Sequence, residues 1–173
     1  MPNREPIETT NLDTMYRSQT IPWSRPRDVL AAGALGREAH FFLGTVRPDG
    51  RPHAAGIGAA WYDGDLYFQS GPKTRKARNI ATNPACTMSA SLPGLDLVFE
   101  GEALRVVDTP TLEAIAAVYR EGGWPVQVDG DAFTAPYSAP SAGPPPWHLF
   151  RLRAHTVFGV AGAEPHGATR WRF

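Results

Sequence analysis

Apolar and polar residues alternate along much of the chain, and short turns rich in glycine and proline interrupt the alternation. Two Asp-Gly pairs, at residues 49–50 and 63–64, separate the first three alternating runs. Asp-Gly between apolar runs is a strong hairpin signal, so we expect these runs to pair as antiparallel neighbours. In all, the pattern predicts six strands: residues 40–46, 51–62, 66–70, 85–91, 95–107 and 147–160.

Three other segments carry helix signals. Ser24 is a candidate N-cap with Pro26 in the first turn, and its helix is expected to run to about Glu38. A short helix is predicted around residues 76–80, and another opens after Asp108. Strands that pair with their neighbours in sequence, together with three helices, favour a mainly β (α+β) fold: a small antiparallel barrel with peripheral helices.

The same pattern divides the chain into an arm and one domain. Residues 1–24 are polar and contain three prolines, which predicts an N-terminal arm that orders only against another part of the protein. Residues 25–173 are expected to form a single domain. Within it, residues 121–146 are rich in Gly, Pro, Ser and Ala and predict a long loop that serves as a lid or an interface.

Composition excludes several classes of protein. The 173 residues include 17 Lys and Arg against 17 Asp and Glu, so global charge gives no basis for nucleic-acid or membrane binding. A single cysteine and five scattered histidines argue against a disulfide or a metal site. The N-terminus resembles no signal peptide, and no apolar run reaches the roughly 20 residues needed to span a bilayer. We therefore expect a cytoplasmic protein.

The distribution of cations is uneven, however. Both lysines of the chain lie in the segment Gly71-Pro-Lys-Thr-Arg-Lys-Ala-Arg78, and residues 66–95 contain no Asp or Glu. Four cations at the start of a predicted helix favour an anion, because backbone N–H groups and the helix dipole add to their charge. The alternative is a solvated helix face. The absence of nearby acids in the sequence favours a bound anion such as a phosphate.

Three stretches resemble the pyridoxamine 5'-phosphate oxidase-like superfamily of flavin-binding split β-barrels. They are Phe42-Leu-Gly-Thr-Val-Arg-Pro-Asp-Gly-Arg-Pro-His53, Trp61-Tyr-Asp-Gly-Asp-Leu-Tyr-Phe68 and Thr74-Arg-Lys-Ala-Arg-Asn-Ile-Ala-Thr-Asn-Pro84. The resemblance covers about residues 25–107. It implies a six-stranded antiparallel split β-barrel, and a homodimer that holds FMN or the deazaflavin coenzyme F420 at the subunit interface and transfers hydride to or from a small organic substrate.

The resemblance also implies which residues bind the cofactor. The strand end and the phosphate-binding segment of the family correspond here to Gln69, Ser70, Thr74, Arg75, Lys76 and Asn79. Asn79 matches the deazaflavin branches, which gives F420 a slight preference. Lys73 lies just outside the matched pattern and is expected to strengthen the local field.

Two further residues are candidates for the cofactor site, and each has a structural alternative. His53 precedes a run of small residues and could lie at the edge of the flavin pocket, or be an ordinary hydrogen-bonding strand residue. Trp171 could stack on the ring or pack in the core. No catalytic side chain can be named, because in flavin chemistry the ring itself reacts.

Departures from the namesake oxidase argue against pyridoxamine phosphate oxidation. The run Ala54-Ala-Gly-Ile-Gly-Ala-Ala60 offers no side chain for a second phosphate, and Arg170-Trp-Arg-Phe173 replaces the Arg-x-His signature expected near the C-terminus. Small residues in the first run would let a flat ring approach the backbone, or would mark a bulge at a barrel corner. Two alternatives remain open: a non-catalytic cofactor carrier, and a haem-binding barrel with His53 or His148 as the axial ligand.

Overall fold

The computed structural model describes residues 4–16, 18–33, 40–140 and 142–173. The strands in these ranges are β1 (Glu8–Asn11), β2 (His40–Val46), β3 (Pro52–Ile57), β4 (Ala59–Tyr62), β5 (Asp65–Ser70), β6 (Ala85–Leu92), β7 (Leu95–Val106), β8 (Gln127–Asp129), β9 (Ala132–Thr134), β10 (His148–Ala161) and β11 (Gly167–Arg172). The helices are α1 (Ser24–Gly33), α2 (Arg75–Thr82) and α3 (Thr109–Glu121). No helix in these ranges is long and apolar enough to cross a membrane.

The strands form an antiparallel split barrel, which confirms the predicted fold class. Hydrogen-bonded neighbours follow the order β4–β5–β10–β7–β6–β2–β3. The chain runs directly from β3 to β4 through Gly58, yet β3 pairs with β2 whereas β4 pairs with β5. The barrel is therefore open between β3 and β4, and Gly58 marks the corner at which the chain changes partner.

All six predicted strands are present, but the sheet has more strands than predicted. The run 51–62 is divided into β3 and β4, and β1, β8, β9 and β11 are additional. β11 pairs with the second half of β10, and β1 pairs with β11. The N-terminal arm thus lies along the C-terminal strand. Backbone hydrogen bonds to β11 order it, although it has few apolar side chains to bury.

The helices begin where the sequence predicts. Asp108 caps α3 by accepting a hydrogen bond from the backbone N–H of Thr111 (3.0 Å). The first helix is observed from Ser24 to Gly33, and the last part of its prediction, residues 34–38, lies outside the described residues.

Two apolar clusters hold the domain together. The first fills the barrel and includes Leu43, Phe68, Met88 and Leu97. The second lies on the other side of β5 and β10, under α3 and the β8–β9 hairpin, and includes Leu112, Ile115, Phe133 and Trp147. Residues 121–146 were predicted to be a long loop, but they contain this hairpin and bury Phe133 completely. The segment packs against α3 because its buried apolar residues, such as Val126 and Phe133, belong to the same cluster as those of the helix.

Candidate cofactor site

The N-terminus of α2 follows directly from β5 through a turn stabilised by hydroxyl groups. Thr74 is the N-cap, and its Oγ1 accepts a hydrogen bond from the backbone N–H of Ala77 (3.3 Å) and donates one to the carbonyl of Gly71 (2.9 Å). The Ser70 and Thr74 hydroxyls are hydrogen-bonded to each other at 2.7 Å, and either one can be the donor. This network holds the end of β5 against the first turn of the helix.

Asn79 anchors α2 to the β2–β3 hairpin. Its Nδ2 donates to Thr45 Oγ1 (2.9 Å), and Thr45 stands directly opposite His53 in the β2–β3 pairing. Asn79 is only 1% exposed, and its Oδ1 has no hydrogen-bond partner among the described residues. A buried acceptor without a donor is unfavourable by about 1–3 kcal/mol, so a ligand group that donates to it would be favoured here.

Positive charge gathers around the same helix turn. Lys76 is only 4% exposed, and burial lowers the pKa of its ammonium group. The pKa of His53 is lowered by its own desolvation and then by the positive charges of Arg47, Arg75 and Lys76. These three cations therefore lie within electrostatic reach of one imidazole. Such a field disfavours a further positive charge and favours an anion.

Sequence reasoning missed Arg47. It follows β2 in the Arg-Pro-Asp-Gly-Arg turn, where an arginine looks like an ordinary surface residue. The sequence did contain one indication that Arg47 belongs near the site. Arg47 lies two residues after Thr45, and side chains two apart on a strand share a face. Its importance depends on α2 docking at Thr45, and nothing local predicts that contact.

Three other predicted site residues, Gln69, Lys73 and Trp171, do not lie at the Asn79–Thr45–His53 contacts. Gln69 lies on the opposite face of β5 from Phe68, and its Oε1 accepts a hydrogen bond from the Tyr119 hydroxyl (2.8 Å) beside the second apolar cluster. Lys73 is exposed and lines a cavity of about 330 Å³ together with the Pro144–Pro146 segment. Neither side chain faces the Asn79–Thr45–His53 contacts.

Trp171 lies inside the barrel, away from the cations. It is completely buried, its ring centroid is 5.3 Å from that of Trp23, and it packs beside Gly159, where a Cβ atom would come within 2.7 Å of the indole. The indole Nε1 has no hydrogen-bond partner among the described residues. These contacts favour packing over cofactor stacking for this residue.

Few other groups offer chemistry. Burial raises the pKa of the Cys86 thiol to about 12, which keeps it unreactive. Burial also lowers the pKa of His148, which lines a separate cavity of about 410 Å³ on the far side of α2. Among the described residues, no group of three or more His, Cys, Asp or Glu side chains is arranged to hold a metal ion.

Comparison with known proteins identifies the family. The profile of the pyridoxamine 5'-phosphate oxidase family matches residues 31–161, so the chain belongs to this family. No curated protein matches the chain in sequence.

Solved structures share the fold. A protein described as an F420 reductase is 28% identical, with a TM-score of 0.50, over 71% of this chain and 91% of its own. An FMN-binding, pyridoxamine 5'-phosphate oxidase-related protein of Nostoc punctiforme is 18% identical, with a TM-score of 0.56, over 87% and 90%. A haem-binding protein of Mycobacterium smegmatis is 17% identical, with a TM-score of 0.56, over 81% of this chain and 54% of its own. Proteins described as binding different cofactors thus share the fold of this chain.

Proposed function

We propose that this protein is an oxidoreductase that binds FMN or coenzyme F420 and transfers hydride to or from a small organic substrate. The observation that carries the proposal is the pair of buried polar side chains on α2, Lys76 and Asn79, of which the second has an acceptor atom without a donor. Family membership supports a flavin-type cofactor. The F420 reductase at 28% identity supports a slight preference for F420.

The residues present fit a phosphorylated polyol. Lys76 and Arg75 supply positive charge at a helix N-terminus, which suits a phosphate. The unpartnered Oδ1 of Asn79 requires a hydrogen-bond donor, which a hydroxyl of a ribityl chain provides. A bare inorganic anion would satisfy the cations but leave this oxygen without a donor. FMN and F420 both join a ribityl chain to a phosphate, and this combination matches both requirements.

The bound ring supplies the hydride chemistry, and the protein binds and orients it. On β3 the exposed side chains are small, and a Cβ atom placed at Gly56 or Gly58 would meet nothing within 4 Å. A flat ring can therefore approach this backbone closely. Pyridoxamine phosphate oxidation is not proposed, because no cation lies on residues 54–60 and Arg170 and Arg172 are paired with Glu8 (3.0 and 3.1 Å).

We also propose that two copies associate through the outer face of the sheet, with the cofactor at the subunit interface. The strand register places Phe42, Ser89, Val98 and Phe158 in one row across four strands. Phe42 is 53% exposed, and Val160, farther along β10, is 54% exposed. Apart from Ser89 the row is apolar, and an apolar row on the outer face of a regular sheet favours association with another protein surface.

Cofactor titration of the purified protein tests the proposal. FMN, F420 and haemin are added in turn and binding is followed by absorption, and the reduced bound cofactor is then offered to a panel of organic acceptors. We expect FMN or F420 to bind and its reoxidation to be faster than in free solution. Tight binding of haemin with neither flavin retained would refute the proposal. Flavin binding without accelerated reoxidation by any acceptor would favour the non-catalytic carrier.

A further inference from the structure

Arg47 directly follows β2, the strand to which α2 is hydrogen-bonded through Asn79 and Thr45. Its backbone N–H donates to the carbonyl of Arg51 (2.9 Å) across the turn. Side chains alternate along a strand, so Arg47 shares a face with Thr45, to which Asn79 of α2 is hydrogen-bonded. Two elements that are distant in sequence therefore both place cations within electrostatic reach of His53.

The Arg47 side chain is incompletely satisfied within the protein. Its Nε is buried and has no hydrogen-bond partner among the described residues. The acid in the same turn, Asp49, accepts hydrogen bonds from Arg51 Nε (2.9 Å), Nη2 (2.7 Å) and the backbone N–H (3.1 Å). The pKa of Asp49 is lowered chiefly by these Arg51 contacts and only to a lesser degree by the charge of Arg47. A buried guanidinium N–H without an acceptor favours an anion from outside the chain.

We propose that Arg47 is the third cation of the anion site, binding the same phosphate group as Arg75 and Lys76, and that anion binding there is coupled to proton uptake by His53. The identity of the anion as part of FMN or F420 rests on the proposed function. The three-cation arrangement itself is inferred from three observations: the unpartnered Nε of Arg47, the hydrogen bond of Asn79 to β2, and the charges that act on His53.

The coupling follows from the charges that face His53. Arg47 acts on it from the β2–β3 turn, and Arg75 and Lys76 act from α2, while its neighbours Thr45 and Asn79 are neutral. In the free protein, desolvation disfavours an imidazolium most, and these three charges disfavour it further. A bound phosphate compensates them and favours the imidazolium instead. Anion binding therefore raises the affinity of His53 for a proton.

Pairs of ligands that differ only by the phosphate test the role of Arg47. Dissociation constants for FMN and riboflavin are measured for the wild type and for Arg47→Gln; if F420 is the ligand bound, the 5'-phosphate of its ribityl deazaflavin is compared with the unphosphorylated ribityl deazaflavin. Loss of one charge-assisted hydrogen bond should weaken the phosphorylated ligand roughly 10- to 100-fold and the phosphate-free ligand less than about 3-fold. Arg47→Lys, which keeps the charge, should lose less. Arg27→Gln, on an arginine of α1 that pairs with Glu5 and Asp28, controls for the change in net charge.

The titration of His53 provides the second readout. Because a phosphate monoester itself titrates near pH 6, the coupling is read by NMR of the imidazole and not from the pH dependence of affinity. Saturating FMN, F420 or inorganic phosphate should raise the pKa of His53 in the wild type and should raise it clearly less in Arg47→Gln.

The outcomes separate the two proposals. Equal affinity of wild type and Arg47→Gln for the phosphorylated ligand would overturn the role of Arg47 and leave the proposed function intact. If neither FMN nor F420 binds but phosphate shifts His53 in the wild type and not in Arg47→Gln, the proposed function fails and the three-cation site stands. If neither cofactor nor phosphate shifts His53, the three-cation site is refuted. Urea unfolding of each variant verifies that it is folded.

Discussion

Replacing Lys76 by methionine should weaken cofactor binding and remove one contribution to the pH dependence of stability. The side chain is 4% exposed in the first turn of α2, and burial lowers the pKa of its ammonium group. Methionine has a similar length and no charge. It removes the attraction for a phosphate and also the cost of desolvating an ammonium ion.

The magnitude of the binding effect follows from one charge-assisted hydrogen bond. Such a bond contributes about 1.5–3 kcal/mol, so Lys76→Met should weaken FMN or F420 about 10- to 150-fold.

The pH dependence of stability adds a second signature. The pKa of Lys76 is below its ordinary value of 10.5 in the folded protein, so the unfolded chain holds the proton more tightly in the window between the two pKa values. The free energy of unfolding contributed by this group therefore rises as pH increases through that window. In Lys76→Met this contribution should vanish, which urea unfolding between pH 8 and pH 10.5 measures.

Lys73→Met is the matched control. It makes the same chemical change three residues earlier, on an exposed side chain outside the Asn79–Thr45–His53 contacts. A screened surface charge contributes about 1 kcal/mol or less, so this variant should weaken the cofactor only a few-fold. If Lys76→Met binds as tightly as the wild type, or if both variants lose the same affinity, then the buried lysine is not a specific ligand of the anion and the reasoning is refuted.

Two other substitutions test the assignments of Trp171 and of the outer sheet face. Trp171→Phe should lower the free energy of unfolding by about 1–3 kcal/mol, since it leaves a cavity in the barrel core, while changing cofactor affinity per folded molecule less than about 3-fold. The loss is partly offset because the unpartnered indole N–H is also removed. Phe42→Asp should sediment as a monomer, because it places a charge on the most exposed side chain of the row, which is 53% exposed.

Each of these substitutions has a control within the chain. Trp61→Phe alters a half-buried tryptophan at the edge of the same cluster and should cost less stability than Trp171→Phe. A large loss of cofactor affinity in Trp171→Phe with unchanged stability would assign the residue to the cofactor site instead. Val107→Asp alters a side chain that is 55% exposed but lies off the row, and it should leave the oligomeric state unchanged. A dimer that survives Phe42→Asp would place the interface elsewhere.

Features that depend on neighbouring residues were predictable from the sequence alone. The six strand segments, the Asp-Gly turns and the start of α2 follow from alternation, turn chemistry and capping, all of which act within a few residues. The cation cluster around Thr74, Arg75 and Lys76 was visible for the same reason, because it is contiguous in the chain.

Only the tertiary structure decided which side chains share the site. Docking of α2 on β2 through Asn79 and Thr45 brings Arg47 and His53 to the helix, whereas strand alternation turns Gln69 to the other face of β5. Packing against Gly159 takes Trp171 into the barrel. The local sequence thus determined where an anion would find positive charge, and contacts between distant segments determined which other groups would reach it. Strand register and helix docking depend on contacts across the whole sheet, so they cannot be predicted from any short segment of the sequence.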